Sequence, residues 1–282
     1  MTTTATLLVS CPDRKGIVAT LAQVLYGHGA NILDSDQHSD PVAAMFFQRI
    51  RFDLSTLTTD RITLESAIRE VADRFAMDWR ISYGTRVRKV ALFVSKLEHC
   101  LYDLLVRHRA GELACEMAMI ISNHEHAAPI AQHFGIPFHH LPITADTRAA
   151  QEATARALLH DTDLIVLARY MQILSPELVA AFPARIINIH HSFLPAFVGA
   201  NPYRQAFEKG VKLIGATSHY VTADLDQGPI IDQGTIRCSH RDSVDDLVRN
   251  GRDLEKRVLA NAVRWHLEDR VLAYAGKTVV FD

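Results

Sequence analysis

Four short apolar runs, at residues 90–94, 117–121, 164–167 and 186–189, are separated by stretches of helical periodicity. Continuous apolar runs of this length mark strands buried on both faces. Strands that alternate with helices build a mainly parallel sheet covered on both sides. The second two-thirds of the chain therefore reads as a Rossmann-like α/β domain over residues 90–282. A helix is expected at 243–272 from Val244, Leu247, Leu254, Val258 and Leu259.

The first 84 residues follow another pattern. An apolar strand at 5–11 leads to the turn Asp13-Arg14-Lys15-Gly16. Ile17, Leu21, Val24 and Leu25 then recur at helical spacing, and Gly27 and Gly29 end that helix. Asn31 opens a second strand, and Asp40-Pro41 marks a turn. Phe46, Gln48, Ile50 and Phe52 alternate with Phe47, Arg49, Arg51 and Asp53, so the second set implies a wetter face. A helix through Ile62, Ala67, Ile68 and Val71 precedes a closing strand at 79–83. The order βαββαβ is ferredoxin-like. Basic residues at 85–89 (Arg86, Arg88, Lys89) read as the linker.

Composition narrows the function classes. A chain of 282 residues with 48% hydrophobic content can bury full cores. A net charge of −2 and a pI near 6.7 give no electrostatic case for nucleic acid or an anionic membrane. No run of eighteen apolar residues is present. The start lacks a signal-peptide profile, so a cytoplasmic location is expected. Cys11, Cys100, Cys115 and Cys238 are scattered with no C-x-x-C pair, which reads as buried reduced thiols. The His pairs 139–140 and 190–191 lack H-E-x-x-H spacing. Adjacent strand residues point to opposite faces, so no metal site is expected and His191 should face away from His190.

Chemistry concentrates in Ile187-Asn188-Ile189-His190-His191-Ser192-Phe193-Leu194-Pro195 and, downstream, Leu225-Asp226-Gln227-Gly228-Pro229. Residues i and i+2 of a strand share a face, so Asn188 and His190 can share a pocket. Pro195 keeps the strand from continuing in mid-sheet, and open α/β sheets keep their sites at strand ends. Asn188 offers an amide donor for an oxyanion, His190 a group that titrates near neutrality, and Asp226 a carboxylate. Asp226 can either activate water or hold the imidazolium by charge. Together these parts suit acyl transfer.

This combined pattern resembles the signature of folate-dependent formyl-transfer enzymes, and the whole chain resembles formyltetrahydrofolate deformylases. The resemblance implies hydrolysis of 10-formyltetrahydrofolate to tetrahydrofolate and formate in one-carbon and purine metabolism, without a cofactor. It implies Asn188, His190 and Asp226 as the catalytic set. It also implies a pterin pocket lined by Met171, Gln172, Ile173 and Leu174, although on the residues alone Met171 and Leu174 fit a core equally. Gly199, Asn201 and Pro202 read as a loop before a helix, with Pro202 at the first helical position.

Related enzymes formylate glycinamide ribonucleotide through a Gly-rich phosphate loop after the first strand of this domain. Here that place holds Ser95-Lys96-Leu97-Glu98-His99-Cys100, with no glycine and an acidic side chain. A different relative formylates methionyl-tRNA, an acceptor that the charge does not favour. Water remains as the acceptor.

Residues 11–18 and 31–34 resemble an ACT domain. That implies an amino-acid effector, glycine or methionine, near Asp13, Gly16, Asn31 and Ile32. It also implies a homo-oligomer, dimer or tetramer. On local grounds alone Asp13 can instead cap the helix, with Gly16 allowing tight packing. Two other functions stay open at this level: formyl transfer to an unidentified amine, and a non-enzymatic folate or amino-acid sensor.

Overall fold

A computed structural model describes residues 3–144, 146–194 and 202–281. Pro195, and Gly199 to Asn201 of the expected loop, lie outside the described residues. The chain divides into two compact units, Met1–Val87 with Glu268–Leu272 and Val279–Asp282, and Arg88–Leu267 with Ala273–Thr278.

In the first unit β1 (Thr4–Pro12), α1 (Ile17–Gly27), β2 (Asn31–Asp40), β3 (Met45–Asp53), α2 (Arg61–Phe75) and β4 (Asp78–Tyr83) realise the expected βαββαβ order. The antiparallel sheet runs β2-β3-β1-β4. Ile17, Leu21 and Leu25 of α1 pack with Leu64, Ile68, Val71 and Phe75 of α2 against the β1 side chains Ala5, Leu7 and Val9. Asp60 caps α2 by accepting from the Thr63 amide at 2.7 Å. Ile62, expected on the inner face of α2, is 81% exposed. Leu64 takes the inward position one turn before Ile68.

The expected wetter face of β3 is covered over its first half, while Arg51 stays exposed. Phe47 and Arg49 are both buried. Arg49 donates from Nε to the Asp269 carbonyl at 3.0 Å, from Nη2 to the Glu268 carbonyl at 3.2 Å and from Nη1 to Asp34 Oδ2 at 2.7 Å. Alternation in sequence shows which residues share a face, but it does not show that a distant segment returns to cover that face.

The second unit is built from β5 (Arg88–Val94), α3 (His99–Arg109), β6 (Cys115–Ser122), α4 (Ala128–Phe134), β7 (Phe138–His140), α5 (Arg148–Leu158), β8 (Leu164–Leu167), α6 (Pro176–Ala181) and β9 (Ile186–His190). After these come α7 (Pro202–Glu208), β10 (Leu213–Tyr220), β11 (Ile230–Arg237) and α8 (Val244–Leu267). The seven-stranded sheet runs β11-β10-β9-β8-β5-β6-β7. Strands β5 to β9 pair in parallel, and β10 and β11 add antiparallel. Strand order reverses between β5 and β8, which opens a crevice at their C-terminal ends.

Two boundaries differ from expectation. Arg88 and Lys89 of the expected linker 85–89 are strand residues of β5: the Lys89 amide donates to Asp163 Oδ2 at 2.9 Å, and Arg88 Nη1 to the His266 carbonyl at 2.8 Å. The helix expected to 272 ends at Leu267. Asp269 then takes φ +52°, and β12 (Val271–Tyr274) and β13 (Lys277–Val280) form a two-stranded hairpin. Val271 and Leu272, the apolar residues at the end of the expected helix, belong to β12, and periodicity alone does not separate a short apolar strand from helix.

All four cysteines are free and buried, and burial pushes the Cys115 thiol up to about 12. Among the described residues, no helix is long and apolar enough to cross a membrane.

Replacing Arg49 by Ala is expected to cost about 2–4 kcal/mol, because it leaves two carbonyls and a carboxylate without their donor. Arg51→Ala, at an exposed position further along the same face, should stay within about 0.5 kcal/mol. Urea unfolding of both variants checks this; equal midpoints would refute the burial argument.

Candidate functional site

The crevice at the sheet switch holds a cavity of about 280 Å³. Its lining includes Asn188, His190 and Asp226, and also Met171, Gln172, Ile173 and Leu174. The structure thus brings together all seven residues singled out for catalysis and folate binding. Asn188 and His190 arrive on β9 by the two-residue repeat of a strand. Asp226 arrives on the loop between β10 and β11.

Asp226 sits between two imidazoles. Its Oδ2 lies 3.2 Å from His190 Nδ1 and its Oδ1 lies 3.7 Å from His219 Nε2. Hydrogen bonding to His190, then to His219, holds the Asp226 carboxyl well below the usual carboxylate range, against the opposing effect of burial. With Nδ1–H directed at the carboxylate, the neutral His190 ring carries its lone pair on Nε2. That nitrogen is buried and has no hydrogen-bond partner.

His219 is a site residue that sequence reasoning missed. Its Nδ1–H donates to the Tyr220 carbonyl at 2.9 Å. In the neutral ring Nε2 is then an acceptor, and Asn188 Nδ2 donates to it at 3.3 Å. In the charged ring the same nitrogen turns its proton toward Asp226. Its position one residue before the end of β10 was a signal, but β10 itself was not foreseen.

The Asp226 loop is locked by a glycine. A Cβ at Gly228 would lie 1.7 Å from the Tyr220 carbonyl oxygen and 3.3 Å from His219 Nδ1. The Tyr220 amide donates to the Pro229 carbonyl at 2.9 Å. The sequence Asp-Gln-Gly-Pro thus packs its backbone against the end of β10, which leaves Asp226, at φ +56°, facing β9.

His191 differs from expectation. Strand β9 ends at His190, so the alternation of faces lapses there. His191 lines the same cavity, and its ring stacks on that of His190 with centroids 5.4 Å apart. Burial first, and the Arg169 guanidinium next, push its imidazole down to about 4, so it is neutral at physiological pH.

The 169–174 segment is pinned to the end of β5. The Ser95 amide donates to the Arg169 carbonyl at 3.2 Å, and Ser95 Oγ accepts from the Met171 amide at 3.0 Å. Met171 and Ile173 are more than half exposed, an apolar surface at the cavity mouth. Leu174 packs against the core cluster of β5 and β8. The core alternative therefore fits Leu174 and not Met171.

Among the described residues, His99, Cys100 and Glu255 bring potential metal-ligating atoms within 4.8 Å of one another. The donor set does not fit a cation. Arg169 Nε lies 3.4 Å from Glu255 Oε2, His99 Nε2 lies 2.8 Å from the same oxygen, and Tyr203 donates to Oε1 at 2.6 Å.

In the first unit, Gly16 is the N-cap of α1 with φ +95° and no side-chain cap bond. A Cβ there would meet nothing within 4 Å, so backbone conformation rather than packing calls for glycine. The alternative of Asp13 as the cap is not realised; its amide donates to the Ala44 carbonyl at 2.9 Å. Asn31 and Ile32 begin the edge strand β2 and are exposed.

The formyl transferase family profile matches residues 88–263 and the ACT domain profile residues 5–76. A formyltetrahydrofolate deformylase of Synechocystis sp. is 54% identical, over 99% of this chain and 98% of that protein. The chain belongs to the formyltetrahydrofolate deformylase family. A crystal structure of the deformylase from Pseudomonas syringae pv. tomato superposes with a TM-score of 0.96 at 47% identity, covering 99% of this chain and 94% of that one. The deformylase fold is also shared in part with a glycinamide ribonucleotide transformylase from Symbiobacterium toebii: TM-score 0.67 and 33% identity, over 71% of this chain and 97% of that one.

Gly228→Ala is expected to lose about 1–3 kcal/mol, the usual cost of overpacking. Gln227→Ala next to it, at an exposed position, should stay within about 0.5 kcal/mol. Matching urea midpoints for the two variants would contradict the packing described for this loop.

Proposed function

We propose that the chain hydrolyses 10-formyltetrahydrofolate to tetrahydrofolate and formate, with Asn188, His190 and Asp226 as the catalytic residues. One observation carries the assignment of roles. Asp226 engages His190 Nδ1, which leaves Nε2 without a hydrogen-bond partner on a residue that lines the cavity together with Asn188. A carboxylate spent on orienting an imidazole is not the base for water. The proton carrier is His190, and Asp226 stabilises its charged form.

Water attacks the formyl carbon, and His190 Nε2 accepts one of its protons. The carbonyl electrons move onto oxygen, and Asn188 Nδ2–H donates to that oxyanion. As the C–N10 bond breaks, the imidazolium gives its proton to N10. Hydroxyl has joined the carbon and hydrogen has joined nitrogen, so tetrahydrofolate and formate leave. Side chains and water suffice for these steps, and no cofactor is drawn in them. Met171, Gln172, Ile173 and Leu174 form the wall for the pterin ring, an apolar surface that suits a flat heteroaromatic.

We further place the protein in the cytoplasm, where its four buried thiols would stay reduced. The first unit is read as a site for an amino-acid effector, glycine or methionine, near Asp13, Gly16, Asn31 and Ile32. The long edge strand β2, with Ile32 and Leu33 more than a third exposed, favours pairing between copies into a dimer or tetramer.

Purified protein given 10-formyltetrahydrofolate and no acceptor is expected to release formate. His190→Ala should lower kcat by about 10²–10⁴, and Asn188→Ala by about 10²–10³, each with little change in folate affinity. Near-normal turnover in either variant would remove its residue from the mechanism, and folate binding without formate would point to an amine acceptor or a sensor. Isothermal titration with glycine and with methionine checks the effector reading. The expected result is heat and a changed rate with one of them; neither with both would leave the first unit as an assembly module.

A further inference from the structure

Arg169 is a basic residue of the cavity lining that the mechanism leaves unused. It sits directly after β8 in the left-handed backbone region, at φ +64°, where glycine would be unstrained. The residue is only 7% exposed and lines the cavity, and its side chain carries a buried Nε with no hydrogen-bond partner. A strained position held by a buried charge implies that the side chain itself is needed there.

The chain invests further in holding it. Glu255 on α8 is 1% exposed and pairs with Arg169 at 3.4 Å, while His99 and Tyr203 engage its two oxygens. Burial pushes the Glu255 carboxyl up, but His99, Arg169 and Tyr203 outweigh it and hold it down, so the group is ionised. Tyr203 reaches Glu255 across a notch in α8. A Cβ at Gly251 would lie 2.1 Å from its hydroxyl oxygen. Glycine inside a helix is unfavourable, and here it makes room for this one contact. The network abuts the catalytic pair through His191, whose ring stacks on His190 and lies 6.2 Å from that of Tyr203. A well-packed apolar set would stabilise the fold at least as well as buried charges.

We propose that Arg169, clamped by Glu255, is a specificity-determining residue that fills the nucleophile's side of the cavity and admits water but not a substituted amine. The inference rests on the hydrolase reading above and deepens it. The cavity of about 280 Å³ lies just below the usual size of ligand pockets, which run from roughly 300 to 1,000 Å³. An amine carries a substituent that water lacks, so bulk beside His190 separates the two.

With Arg169→Gly the backbone strain is relieved and the space opens. A primary amine can then attack the formyl carbon: the new N–C bond forms, the C–N10 bond breaks, the amine gives up a proton and N10 receives one. Formate and N-formylglycinamide are to be measured from 10-formyltetrahydrofolate with excess glycinamide. Wild type should give formate alone. Arg169→Gly should raise the formylamide-to-formate ratio roughly tenfold or more above wild type. Arg169→Met, which keeps the bulk and loses the charge, should give no formylamide.

A folded Arg169→Gly that yields formate alone overturns the proposal, and formylamide from Arg169→Met overturns its steric basis. No formate from wild type, with formylamide from Arg169→Gly, would sink the hydrolase reading and the admission of water with it, and would keep only the exclusion of amines by Arg169. Neither product from either protein would sink both. Should Arg169→Gly melt below the assay temperature, Arg169→Ala combined with Glu255→Gln removes both charges and is read in the same way.

Discussion

The site depends on one carboxylate shared by two imidazoles. Asp226 fixes which nitrogen of His190 carries a proton, and it does so from a loop rather than from the sheet. A strand can set the spacing of Asn188 and His190 without help. It cannot set a tautomer, which needs an acceptor at Nδ1 and nothing competing at Nε2. His219 closes the arrangement from the neighbouring strand and engages the amide of Asn188. The three groups share hydrogen bonds, so their contributions to activity should be coupled rather than additive.

That carboxylate is positioned by backbone packing. Gly228 lies against the end of β10 at a distance no side chain tolerates, and the Pro229 carbonyl accepts from the same strand. The sheet switch between β5 and β8 sets the rest. Ser95 at the end of β5 holds the segment after β8, and that segment carries the apolar wall on one side and Arg169 on the other. Elements far apart in sequence thus meet at adjacent strand ends, the arrangement that open α/β sheets favour.

Much of this was legible in the residues. Buried parallel strands announce themselves as apolar runs, and those at 90–94, 117–121, 164–167 and 186–189, the last interrupted by Asn188, all lie within strands. Asn188 and His190 share a cavity, as the two-residue repeat implies. What escaped was set by distant contacts. β7 has three residues and too little pattern to read. β10 and β11 carry polar residues such as His219 and Asp232, because they meet the site and α8. The face of β3 that carries Arg49 reads as wet, yet the carbonyls of Glu268 and Asp269 take up its charge. His191 reads as facing away because a strand was assumed to continue one residue too far.

The buried cysteines have a consequence for the life of the molecule. Attack on peroxide or on a disulfide needs a thiolate within reach of solvent. Here desolvation raises each thiol above its ordinary value, and none is exposed. Burial and the raised thiol values thereby slow oxidation of the cysteines in the folded chain, and thiol damage falls mainly on its unfolded fraction.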